Sequence, residues 1–132
     1  LCLLLPAAVN ILSVYRTYRG YSSMWAADSL ASEGQLEAAV KHNRQAVAYL
    51  PKSGRGWLSL GQNYFKLAEK KRDKASVCRQ LLKDAVEAAE RALPVTDNPE
   101  SALNLIAASY MNLENYDQAT TLKESPITLI TR

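Results

Sequence analysis

His42, Cys2 and Cys78 are the side chains best suited to ligate a metal or attack a substrate, and their placement supports neither task. A zinc site needs three or four His, Cys or carboxylate ligands, and in sequence these come in close pairs such as C-x-x-C. Here the single histidine stands in AAVKHNRQAVAYL with no cysteine or second histidine nearby, and the two cysteines lie far apart in the chain. Cys78 reads instead as a small apolar filler on a helix. No serine sits in a GxSxG elbow, and the glycines do not form a phosphate-cradling loop. Glu87 and Glu90 could serve as paired carboxylates, but Arg91 and Lys83 on the same helix offer them ion pairs. The residues predict no catalytic group, no metal and no cofactor. This stretch is expected not to be an enzyme by itself, whatever chemistry a longer parent protein would carry.

The elements that hold these residues are helical. The 132 residues are 48% hydrophobic and 22% charged, the balance of one soluble globular domain. Glycines and prolines fall mainly between the apolar-periodic stretches, and no stretch alternates with period two before the final few residues. The class is all-α.

Three stretches repeat one pattern. Trp57, Leu60, Gly61 and Tyr64 are followed by Ala85, Ala89 and Ala92. Upstream, Ser23, Ala26, Ala27 and Leu30 precede Gly34, Leu36, Ala39, Ala46 and Pro51; downstream, Leu103, Ile106, Ala107 and Tyr110 precede Tyr116 and Ala119. From Ala27 to Gly61 the offset is 34 positions, and from Gly61 to Ala107 it is 46. Trp57 and Tyr64 lie two helical turns apart with Leu60 between them, so one face carries all three. Ala27, Gly61 and Ala107 are small, as needed where two helices of a hairpin approach most closely.

This arrangement resembles the tetratricopeptide repeat, a pair of antiparallel helices of about 34 residues. The resemblance covers roughly residues 20–122 and implies a solenoid of helix hairpins preceded by an N-terminal apolar helix. Its units would be 20–53, 54–99 with about 12 extra residues, and an incomplete third at 100–125, followed by a tail at 126–132. Ala39, Ala85 and Ala119 would be the facing small residues on the second helices, so Gly61 should lie close to Ala85 and Ala107 close to Ala119.

The extra residues fall in FKLAEKKRDKASVCRQLLKDA, which contains no helix breaker. They are expected to lengthen both helices, with Leu67, Val77, Leu81 and Leu82 shared between them and the turn near Lys70 to Ser76. That turn would protrude, carrying Lys66, Lys70, Lys71, Arg72 and Lys74 against Glu69 and Asp73. No aromatic interleaves the cations, so nucleic acid is not the expected partner, and the run reads as a solvated helix tip.

Residues 1–19 have a different character. LCLLLPAAVNILSV is apolar apart from Asn10 and Ser13, and Tyr15, Arg16, Tyr18, Arg19 and Tyr21 follow at once. Aromatics mixed with arginines after an apolar run mark the end of a transmembrane helix at the headgroups. Fourteen residues are too few to cross about 30 Å of hydrocarbon, so the expectation is the last part of a longer span. A helix capping the first repeat is the alternative. A signal peptide lacks its basic leader and cleavage site here.

The resemblance places partner binding in a concave groove lined by the first helix of each unit. By register the groove residues are Tyr21, Met24, Trp25, Asp28 and Ser32; Arg55, Leu58, Ser59, Gln62, Phe65 and Lys66; and Ser101, Asn104, Leu105, Ala108, Met111 and Asn112. A carboxylate clamp of the chaperone-adaptor kind would need lysines and asparagines where Met24, Asp28, Ser59, Ser101 and Leu105 stand. The expected function is a non-catalytic, membrane-tethered scaffold for a protein or peptide partner. Its arrangement is similar to the C-terminal region of bacterial O-antigen ligase and polymerase-like membrane proteins, which implies a membrane-associated location, the bacterial inner membrane. A soluble adaptor is the other reading.

Overall fold

The structure, a computed structural model, describes residues 4–124, with side chains as far as Gln118. It is all-helical, with no strand among the described residues. The helices are α1 (Leu4–Ser32), α2 (Leu36–Tyr49), α3 (Gly54–Lys70), α4 (Ala75–Ala92) and α5 (Pro99–Glu124).

Local chemistry sets where they begin and end. α1 stops where Gly34 adopts the left-handed φ of +81°, and the Gln35 amide donates to the Leu30 carbonyl at 2.9 Å, satisfying a terminal acceptor. α2 stops before Pro51, which cannot extend the ladder. The Ser53 hydroxyl accepts from the Gly56 amide at 3.1 Å and opens α3. Asn98 caps α5, its side-chain oxygen accepting from the Ser101 amide at 3.2 Å, and Pro99 takes the first helical position.

Each helix packs on the next, and α1 also touches α3 as α3 touches α5. The odd-numbered helices therefore touch in series, while α2 and α4 each bridge two of them. Leu36, Val40, Val47, Leu60, Leu67 and Ala88 form one buried cluster, with Trp57 and Tyr64 packed against it. Ala68, Cys78 and Leu82 form another, flanked by Phe65, Leu113 and Tyr116. Cys78 is the apolar filler its context predicts.

The extra residues lengthen helices, as their composition predicts: only Lys71–Lys74 lie outside α3 and α4. Leu67, Leu81 and Leu82 pack inward, but Val77 is exposed on the outer side of α4.

Two expectations are corrected. There is no break after residue 19, because the apolar stretch and the first helix of the repeat pattern are the single helix α1. The third unit does not fold back: Met111-Asn112-Leu113-Glu114-Asn115 contains neither glycine nor proline, and α5 runs on to Glu124. Ala107 and Ala119 thus lie on one helix about 18 Å apart and do not face each other. Leu103 and Tyr110, which hold on α5 the places of Trp57 and Tyr64 on α3, are 55% and 53% exposed because no described helix covers that side.

Candidate functional site: the face of α1, α3 and α5

The face along which the odd-numbered helices meet is held by a polar chain through three helices. Asn63 on α3 donates its amide to Asn43 Oδ1 on α2 at 2.6 Å, and Asn43 Nδ2 donates to Ser59 Oγ at 3.1 Å. Ser59 Oγ donates in turn to Asp28 Oδ1 on α1 at 3.4 Å, while Arg55 Nη2 reaches Asp28 Oδ2 at 3.5 Å. Asn43 is fully buried and Asn63 nearly so, whereas Asp28 and Arg55 are exposed. A buried amide left without partners costs about 1–3 kcal/mol, so this chain fixes how α1, α2 and α3 sit together. The exposed ion pair at its outer end adds at most about 1 kcal/mol.

Around Asp28 the face is aromatic and apolar. Trp25 is 71% exposed, and Tyr21 is exposed one turn before it. Leu58 and Phe65 are half-buried on α3, with Gln62 and Lys66 exposed; on α5, Asn104 and Met111 are exposed and Asn112 is half-buried. Of the residues placed in the groove by register, Met24 is the correction. It is 2% exposed, because Gly20, Met24 and Ala27 form the stripe of α1 that is buried. Leu105 is likewise buried, its Cδ2 set against Gly61. Arg55 pairs with Asp28 at 3.5 Å, so a partner's carboxylate would compete with Asp28 for it.

Asn43 and Asn63 escape the reading by resemblance, although the sequence holds a signal for both. Asn43 interrupts the apolar stripe Leu36, Val40, Val47, and Asn63 lies between Leu60 and Leu67 on the inner side of α3. A polar amide at an inward position has to find a partner.

The basic turn is more engaged than a solvated tip. Lys70 Nζ donates to the Gly34 carbonyl at 2.8 Å, and Lys71 pairs with Glu37 at 2.7 Å, so the end of α3 and the turn after it are tied to the turn between α1 and α2 and to the start of α2. The Lys71 ammonium holds the Glu37 carboxyl below the usual carboxylate range. The Tyr116 hydroxyl donates to the Arg72 carbonyl at 2.9 Å and ties the same turn to α5. On the opposite side, Trp57 Nε1 donates to the Pro51 carbonyl at 2.7 Å, and Arg91 stands 5.0 Å over the Trp57 ring while pairing with Glu87 at 3.1 Å. Among the described residues no three His, Cys, Asp or Glu side chains come together as metal ligands.

No family model, curated protein or solved structure matches this chain.

Proposed function

We propose that the chain is a non-catalytic scaffold of tetratricopeptide-like units that binds a protein or peptide segment along α1, α3 and α5. The N-terminal part of α1 tethers it to a membrane. The observation that carries this reading is Trp25, a large ring left 71% exposed on a face whose neighbours are otherwise held rigidly by the Asp28–Ser59–Asn43–Asn63 chain. Aromatic side chains on a preorganised surface are the usual energetic centres of protein recognition. The spacing of Ala27 and Gly61, and the close approach of Gly61 to Ala85, support the repeat reading. The unbroken passage from apolar stretch to repeat also favours a second reading, an appendage of a polytopic O-antigen ligase-like enzyme.

Binding to partners captured by crosslinking through a photoreactive group at Trp25 tests the proposal. Trp25→Ala is expected to cost at least about 2 kcal/mol of binding, roughly thirtyfold, with no loss of stability. Phe65→Ala should weaken binding too, and also the fold, because Phe65 packs on the Cys78 and Leu82 cluster. Arg79 is a poor control because it pairs with Asp117 on α5 at 3.1 Å; Lys83, exposed on α4, serves instead. Equal losses at Trp25 and Lys83 would place the binding surface elsewhere.

A further inference from the structure

Residues 4–19 of α1 are exposed, and Leu4, Leu5, Val9, Ile11, Leu12 and Val14 cover well over half of the helix circumference with apolar surface, leaving a stripe of Pro6, Asn10, Ser13 and Thr17 on the side that carries Gly20 and Met24. A helix that packs on a protein is apolar along a stripe of about 100°, so an exposed apolar arc this wide is more than one neighbouring helix covers and suits hydrocarbon. No described helix is long and apolar enough to cross a membrane. The described stretch from Leu4 to Val14 reaches about 16 Å, near half the hydrocarbon thickness. Tyr15, Arg16, Tyr18 and Arg19 follow it with the side chains that settle among headgroups.

This stretch is linked rigidly to the rest of the molecule. α1 is continuous to Ser32, and a β-carbon at Gly20 would collide with Leu50. The Arg19 guanidinium lies 5.9 Å from the Tyr49 ring centre, and Tyr49 and Leu50 share a hollow with Val9, Leu12, Arg16 and Thr17. The end of α2 and the turn through Pro51 and Lys52 therefore stand at the level of the tyrosines and arginines. The loop between α4 and α5 belongs to this same end, since a β-carbon at Gly54 would lie 2.6 Å from the Thr96 nitrogen. At the other end Gly34 and Lys70–Lys74 are tied together. The 17 residues of α3 separate the two ends by about 25 Å.

We infer that the body stands upright on an anionic bilayer, with the Leu50–Lys52 turn against the headgroups beside Arg16 and Arg19 and the Lys70–Lys74 tip pointing away from the membrane. This rests on the tether reading above and goes beyond it by assigning the membrane-facing end. The occupant is lipid because the exposed apolar arc covers well over half of the helix, with only the Asn10, Ser13 and Thr17 stripe polar, and it is anionic because Arg16, Arg19 and Lys52 share that level. Asp97 and Glu100 repel such a surface, so contact centres on the α1 and α2 side. Trp25 then stands about 15 Å above Tyr15, and the partner face works close to the bilayer.

The test uses the full chain in a Cys2→Ser, Cys78→Ala background, with one nitroxide introduced through Leu12→Cys, Lys52→Cys or Lys74→Cys, on vesicles of phosphatidylcholine with phosphatidylglycerol. Collision with oxygen and with a soluble nickel chelate reads the depth of each label. Leu12 is expected in hydrocarbon, Lys52 shielded from the chelate on vesicle binding, and Lys74 unchanged. A Leu12 label in hydrocarbon with Lys52 and Lys74 equally open to the chelate, or with Lys74 the shielded one, overturns the orientation and leaves the tether standing. A Leu12 label that stays in water overturns the tether and the orientation with it. Should a label unfold the chain, Lys52→Gln and Lys74→Gln carry the same test: the first should lose about fivefold in affinity for these vesicles and the second nothing. Equal losses from both refute the orientation.

Discussion

Gly61 lies directly against Ala85: a β-carbon placed on it would come within 3.2 Å of the Ala85 carbonyl oxygen, and within 2.9 Å of Leu105 Cδ2 and 3.4 Å of Ala88 Cβ. α3 therefore approaches α4 and α5 at one point where no side chain fits comfortably. Gly61→Ala gains about 1 kcal/mol of helix propensity. It spends that gain on moving Leu105 and crowding a carbonyl, so its net effect on stability should be near zero. Gly61→Leu has nowhere to go and should cost about 1–3 kcal/mol or more. Urea denaturation of both variants checks this, and a leucine variant as stable as the parent would refute the close approach.

Gly20 and Leu50 make the corresponding contact between α1 and the end of α2, where an added β-carbon would collide with Leu50 Cγ and come within 2.5 Å of Cδ1. Gly20→Ala is expected to destabilise by about 1–2 kcal/mol despite its better helix propensity. Leu50→Ala in the same chain makes room for the new methyl. The double variant should then be about 1 kcal/mol more stable than the sum of the single effects predicts. Additivity in that cycle would mean the two residues do not meet in solution.

The helical class and the turn near Lys70 were legible because they follow from short-range rules, and the approach of Gly61 to Ala85 because the repeat pattern pairs small residues on successive helices. Apolar stripes of period 3.6 mark helices, and small residues mark close crossings. Sequence spacing could not show which of two neighbours a stripe meets. Met24 is on the helix side expected of a groove residue, yet it is buried in one stripe with Gly20 and Ala27. Neither could spacing show that Lys70 and Lys71 reach back to Gly34 and Glu37, contacts some thirty-five positions distant. The third unit misled for a different reason. Tyr116 matches the repeat pattern, but its hydroxyl is used to hold the Arg72 carbonyl from a continuous α5.

The Glu37–Lys71 contact at 2.7 Å gives the tip a pH dependence. Hydrogen bonding and charge from Lys71 hold the Glu37 carboxyl below its ordinary value of 4.5. A lowered folded-state value means that the contribution is present above the unfolded value near 4.5 and is lost as pH falls through the folded one. Because the carboxylate is exposed, the effect on global stability is small and is best read at the group itself. A carbon-13 titration should place the Glu37 midpoint below 4.5, and Lys71→Met should return it toward that value. A midpoint that ignores Lys71→Met would dissolve the proposed link between α2 and the turn after α3.

Asn43 and Asn63 offer the sharpest test of what holds the candidate face together. Asn43 accepts from Asn63 at 2.6 Å and donates to Ser59 at 3.1 Å, with no exposed surface of its own. Asn43→Leu keeps the branched outline but is bulkier and strips both partners, leaving the Asn63 amide buried with its bond to Asn43 gone, and should cost about 1–3 kcal/mol or more. Adding Asn63→Ala removes that orphaned group and leaves room for the leucine beside Val40, Val47, Leu60 and Leu67, so most of the loss should return. Stability and partner binding then come apart. The doubly apolar chain has no amide to position Ser59, and Ser59 positions Asp28, so the rim beside Trp25 should loosen although the protein remains folded. Thermal melts recovering to within about 1 kcal/mol of the parent, together with weaker binding, would establish the amides as positioning groups for the face. Recovery of both would reduce them to packing, and recovery of neither would show that the α2–α3 interface depends on polar pairing for its geometry.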